Sequence, residues 1–141
     1  MIELITGVVT DTDNHVLFAR SQKHGWWELP GTKLRDPWVP REVALRDALR
    51  KKLAIEAVAV EDAMPNIKTI DESVAGLEFR ADVRRVLVFS GFAMETSGSG
   101  YSEISWVDTT LRKLGKMGLS PITERFLEPC RDDPSWLQAI R

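Results

Sequence analysis

The chain has 141 residues, of which 43% are hydrophobic and 28% charged, so a disordered or collagen-like chain is excluded and one domain, residues 1–141, is expected. With 19 Lys and Arg against 21 Asp and Glu, the formal net charge of -2 gives no electrostatic case for duplex nucleic acid or an anionic membrane as the main partner. A single cysteine, Cys130, excludes an internal disulfide framework and a Cys-based zinc site.

Met1-Ile2-Glu3-Leu4 lacks the basic and apolar regions of a signal peptide, and no apolar run approaches the ~20 residues of a membrane span. A soluble, cytoplasmic protein is the expectation. The β-branched run Leu4 to Thr10, the turn residues Asp11 to Asn14 and the run Val16 to Arg20 predict a hairpin. Trp26 to Leu29 reads as a short aromatic strand stopped by Pro30-Gly31, and Thr32 to Val39 as a loop. Pro40 suits the first turn of a helix, and Arg41 to Ala54 holds helix formers with neither Gly nor Pro. Strands are predicted at Ile55 to Val60, Ile67 to Ile70, Val86 to Phe89 running on towards Ala93, and Ile104 to Val107. Thr96 to Gly100 is a loop by composition. Asp108 and Ser120 are N-cap candidates for helices ending near Gly115 and Pro129, the second with Pro121 at its first position. Asp133-Pro134 starts a final turn around Trp136. Strands, helix, strands, helices in that order predict an α/β or α+β sandwich.

Trp27-Glu28-Leu29-Pro30-Gly31, standing between a hairpin and a helix, resembles the W-E-L-P-G entry of the Nudix hydrolase superfamily. Leu4 to Arg20 resembles the family's first hairpin, and Ala44 to Ala48 the start of the R-E-U core on its helix. Tyr101 to Val107, with Glu103 and Trp106, resembles its E-x-x-W strand, and Ser120 to Leu127 its C-terminal helix. The resemblance spans most of the chain and implies a Nudix-type α/β/α sandwich with a mixed β-sheet.

The family signature is G-x5-E-x7-R-E-U-x-E-E-x-G-U. Aligned without gaps from Pro30-Gly31, its first Gly falls on Thr32, its loop Glu on Trp38, and R-E-U on Arg46, Asp47 and Ala48. The paired glutamates fall on Arg50 and Lys51 and the closing G-U on Leu53 and Ala54. Only Arg46 is kept, with Asp47 a conservative replacement, so the box reads as degenerate. A second register on Arg41-Glu42-Val43 puts Leu45 and Arg46 at the paired positions and restores no carboxylate pair either.

In the family, helix glutamates hold divalent cations that bridge a diphosphate and activate water. Asp47, Arg50 and Lys51 share one helix face at i, i+3 and i+4 and sum to one positive charge where the family pattern carries three negative ones. Two like charges ~4 Å apart cost ~4 kcal/mol at an effective dielectric near 20. No cofactor is therefore expected, with Mg²⁺ needed only if a residual pyrophosphohydrolase survives.

The resemblance implies a small diphosphate or nucleotide-like ligand, held by Arg46, Arg50 and Lys51, with Arg20 in reach of a phosphate and Trp27 and Trp38 able to stack a base or sugar. Asp47, Glu103 and Glu28 are the acid/base candidates if the cleft is catalytic. Apolar packing is the competing role for Trp27, and a solvated face for Arg80, Arg84 and Arg85. His15 and His24 read as surface residues and Cys130 as inert. Three functions follow: a nearly silent binding domain, a pathway enzyme using metal-independent chemistry, and the residual hydrolase. A homodimer is compatible with all three.

Overall fold

A computed structural model describes residues 1–61, 69–108 and 116–130. Its strands are β1 (Ile2–Val9), β2 (His15–Ser21), β3 (Trp27–Glu28), β4 (Gly31–Lys33), β5 (Glu56–Val60), β6 (Thr69–Val74), β7 (Leu77–Ser90) and β8 (Tyr101–Asp108). The helices are α1 (Arg41–Leu53) and α2 (Pro121–Cys130). The strands form two sheets, one in the order β4-β1-β7-β5 with β6 also on β7, the other β3-β2-β8. β1 and β7 run parallel while the other pairs run antiparallel, so the larger sheet is mixed.

The predicted hairpin is corrected. Its turn forms, with the Asp11 N–H donating to the His15 carbonyl and a single bridge between Thr10 and Val16. The strands then part, β1 pairing with β4 and β7 and β2 with β3 and β8. Both are apolar on both faces, so each is buried from two sides instead of presenting one wet face. Gly31–Lys33, read as loop, is a strand on β1. β7 begins at Leu77, well before the predicted Val86, because its charged first half runs through the middle of the sheet.

Alternation along these strands assigns a face to each helix. Val8, Val16, Phe18, Ala81 and Val83 pack with Phe126, Leu127 and Cys130 of α2. Ile5, Val9, Leu17 and Val86 pack with Leu45, Leu49 and Leu53 of α1. The result is an α/β/α sandwich with two apolar layers. Asp82 alternates onto the α1 side and accepts hydrogen bonds from Arg41 and Arg84, while Arg85 pairs with Glu61, so Arg84 and Arg85 are internal partners and not solvated ends.

The Ser120 cap is observed: its Oγ accepts the Thr123 N–H at 3.1 Å, and Pro121 opens α2. Pro40 is the N-cap of α1 and not its first residue. The predicted Asp108-capped helix and the turn at Asp133-Pro134 lie outside the described residues, as do Ile67 and Lys68 of the predicted third strand. No described helix is long and apolar enough to cross a membrane.

α1 ends at Ala54, whose φ of 58° and ψ of 28° are left-handed. An alanine there carries a steric penalty that glycine does not. Ala54→Gly should therefore stabilise the fold by up to about 1 kcal/mol, read as a higher urea midpoint at unchanged slope.

Candidate functional site

The loop from β4 to α1 and the exposed side of α1 enclose a cleft of about 250 Å³. β4 and the loop contribute Lys33, Arg35 and Asp36, and α1 contributes Asp47, Lys51 and Lys52. Those are four cations against two carboxylates, a net of +2 on a chain whose total is -2. Low-dielectric walls concentrate that charge on whatever enters.

Helix geometry decides which side chains face the cleft. The left-handed residue closing α1 is Ala54, and the residue after it, Ile55, is 0% exposed in the α1 core. The closing Gly-hydrophobic pair of the signature fits Ala54-Ile55, one residue later than the ungapped alignment places it. By the resemblance alone, this register would put the buried Leu49 on the hydrophobic position of R-E-U and Lys51 and Lys52 on the paired-glutamate positions. Both line the cleft. Arg46 would then lie outside the R-E-U match that the ungapped alignment gives it.

Lys52 is the residue the sequence reading passed over. Its Nζ donates to the Gly31 carbonyl at 2.8 Å and lies 5.6 Å from the centre of the Tyr101 ring. The Tyr101 hydroxyl accepts the Gly31 N–H at 3.1 Å. Glu28, on β3 beside β2, completes the corner as the electrostatic partner of Lys52. Burial pushes the Glu28 carboxyl above the ordinary carboxylate range, opposed by a hydrogen bond from the Trp26 side chain and by the Lys52 charge. Burial draws Lys52 below the usual lysine value, with Glu28 restoring part of it and Arg35 lowering it further. Burial, and then the Glu28 charge, raise the Tyr101 phenol. Glu28, Lys52 and Tyr101 are far apart in sequence, and no local signal in the chain marks their meeting.

The other predicted residues are distributed as follows. Asp47 lines the cleft, but its carboxylate accepts the Arg50 guanidinium at 2.8 Å. Arg50 itself is exposed and outside the cleft lining. Arg46 pairs with Glu42 at 2.6 Å and reaches the Val58 carbonyl, which turns it towards β5. Arg20 and Glu103 face each other across β2 and β8 in a half-exposed ion pair of 3.1 Å. Trp27 packs against the α2 core, its N–H on the Gly118 carbonyl, so apolar packing is its observed role. Trp38 is 90% exposed, outside the cleft lining, its N–H on the Asp36 carboxylate. Asp11, Asp13 and His15 bring ligand-type atoms within 4.8 Å of one another at the β1–β2 turn. There the Asp11 carboxylate already accepts the N–H groups of Asp13 and His15.

No protein-family model matches the sequence, and no curated protein does. Solved structures match over nearly the whole chain. The MutT protein from Methanosarcina mazei Go1 superposes with a TM-score of 0.78 at 17% identity, over 95% of each chain. The MutT NUDIX hydrolase from Burkholderia pseudomallei gives 0.73 at 20%, over 90% of this chain and 95% of that one. The NUDIX domain of Shewanella oneidensis NrtR, solved with ADP ribose, gives 0.75 at 17%, over 96% and 89%. At these identities the likeness establishes the fold.

Proposed function

We propose that this chain, a protein of the Nudix fold, binds a small molecule carrying a diphosphate of the nucleoside-diphosphate type, and does not perform ordinary Mg²⁺-dependent hydrolysis. One observation carries the reading: the cleft presents Lys33, Arg35, Lys51 and Lys52 against Asp36 and Asp47. Ammonium and guanidinium groups bind phosphate oxygens by charge-assisted hydrogen bonds, the guanidinium in a bidentate fork. They do not activate a water. The ADP ribose of the NrtR domain supports the ligand class, since that domain shares the fold over 96% of this chain. We place this function in the cytoplasm, where a free thiol such as Cys130 is the normal state.

Calorimetric titration of ADP and of inorganic pyrophosphate tests the reading. A charge-assisted contact contributes about 1.5–3 kcal/mol, so Lys51→Ala should weaken binding about tenfold or more. Arg50→Ala should leave affinity unchanged, because Arg50 is engaged with Asp47 outside the cleft. The opposite ranking of the two variants would return the site to the ungapped register. Phosphate release from a nucleotide panel in Mg²⁺ should stay at background.

A second reading, catalysis without metal, is favoured by the half-buried Glu28 and Lys52, which are displaced in opposite senses as acid/base groups often are. Turnover in EDTA that Glu28→Gln abolishes would support it.

A further inference from the structure

We infer that the cleft takes its diphosphate as the metal-free anion, with the Lys52 ammonium as a tethered counter-ion, so that Mg²⁺ competes with the protein for the ligand; this rests on the diphosphate reading above. Mg²⁺ requires oxygen ligands in near-octahedral array and is usually held by one or two carboxylates plus phosphate oxygens. The carboxylates at and near the cleft fit that requirement poorly, because each already has a protein donor on one of its two oxygens. The Asp47 carboxylate accepts Arg50 at 2.8 Å and the Asp36 carboxylate accepts the Trp38 N–H at 2.9 Å. Glu103 is held by Arg20 at 3.1 Å.

At the inner corner the Gly31 carbonyl, the Glu28 carboxyl and the Tyr101 phenol supply hard oxygens suited to a cation. A cation of the chain already occupies this corner: the Lys52 ammonium lies on the Gly31 carbonyl at 2.8 Å and 5.6 Å from the centre of the Tyr101 ring. Lys52 has three N–H donors, one of which lies on Gly31. Its other N–H donors are open to an arriving phosphate oxygen, with the Glu28 charge acting on the ammonium through space.

Charge matching points the same way. The cleft's net of +2 among its described lining residues complements a metal-free diphosphate, which carries two to three negative charges near neutral pH. Chelation removes two of those charges and leaves the four cations facing a nearly neutral ligand together with a divalent ion they repel.

The test is calorimetric titration of the full chain with inorganic pyrophosphate, first in EDTA and then in millimolar Mg²⁺. Apparent affinity should fall at least tenfold in Mg²⁺. Lys52→Gln, which keeps a donor for Gly31 but loses the charge, should bind more weakly in EDTA and show a smaller Mg²⁺ effect. A far-UV circular dichroism spectrum and urea midpoint close to the parent's guard against a folding defect in Lys52→Gln, while Lys51→Ala should bind more weakly in both buffers and keep the same ratio between them. Equal or tighter binding in Mg²⁺ would overturn the inference while leaving the diphosphate reading intact. An unchanged Mg²⁺ effect in Lys52→Gln would remove Lys52 from it. Absence of binding in both buffers would overturn the diphosphate reading itself, and this inference with it.

Discussion

Gly31→Ala is expected to remove more than about 4 kcal/mol of stability, a large share of what a domain of this size possesses. A Cβ at this position would lie 2.1 Å from the Ile5 carbonyl oxygen and 2.8 Å from the Thr6 Cα. Both atoms are backbone, so no side-chain rotation relieves the contact. β4 would have to withdraw from β1, where Gly31 faces Thr6 in register and the Gly7 N–H donates to the Pro30 carbonyl. Its withdrawal would also displace the carbonyl under Lys52 and the N–H on Tyr101. The glycine of the Pro-Gly turn is thus required by close approach of two backbones and not by a positive φ. Gly118→Ala is the control, since an added Cβ there meets nothing within 4 Å. Urea unfolding of both variants decides it. A Gly31→Ala variant as stable as Gly118→Ala would mean that β4 is not seated on β1.

Lys52→Met is expected to make stability fall more steeply with rising pH than it does in the parent. In the parent, burial already raises Glu28 from its ordinary 4.5, and the Lys52 charge restrains that rise. Without the ammonium the Glu28 value climbs further. A carboxyl whose folded value exceeds its unfolded one favours the fold fully below the unfolded value and loses that contribution as pH rises through the folded value. The variant should therefore be close to the parent near pH 4 and less stable by about 2 kcal/mol or more at pH 8, where a charged, half-buried Glu28 has lost its partner. Methionine also relieves the desolvation of Lys52, which shifts the whole curve, so the comparison rests on the change in the difference between variant and parent from pH 4 to 8. The pH difference is thus the clean readout. The double variant Glu28→Gln, Lys52→Met should abolish it. A single variant whose stability relative to the parent is flat from pH 4 to 8 would show that the two groups do not interact.

The element types were largely legible in the chain because they depend on local pattern. The helix predicted over Arg41 to Ala54 is observed as Arg41–Leu53, since a run of helix formers without Gly or Pro follows Pro40. Ser120-Pro121 marks the start of α2 for the same local reason. The cations on α1 were also visible, because residue type is a matter of composition on one helix face.

Tertiary structure decided the rest. The turn at Asp11 to Asn14 was readable, but not that its flanking strands leave for different sheets, since an apolar residue does not reveal which of two layers buries it. Nor could spacing locate the cleft pair at Lys51 and Lys52. That placement follows from the left-handed backbone at Ala54 and the burial of Ile55, and both are set by packing of α1 on β1 and β7. Glu28 was a candidate by position alone, while its meeting with Lys52 and Tyr101 around the Gly31 peptide exists only where β3, β4, α1 and β8 converge. Residue type and helical period are properties of a short stretch of chain. The partner of a buried charge is chosen by strand register over long sequence separations, because desolvation makes the fold bring an opposite charge to it wherever in the chain that charge lies.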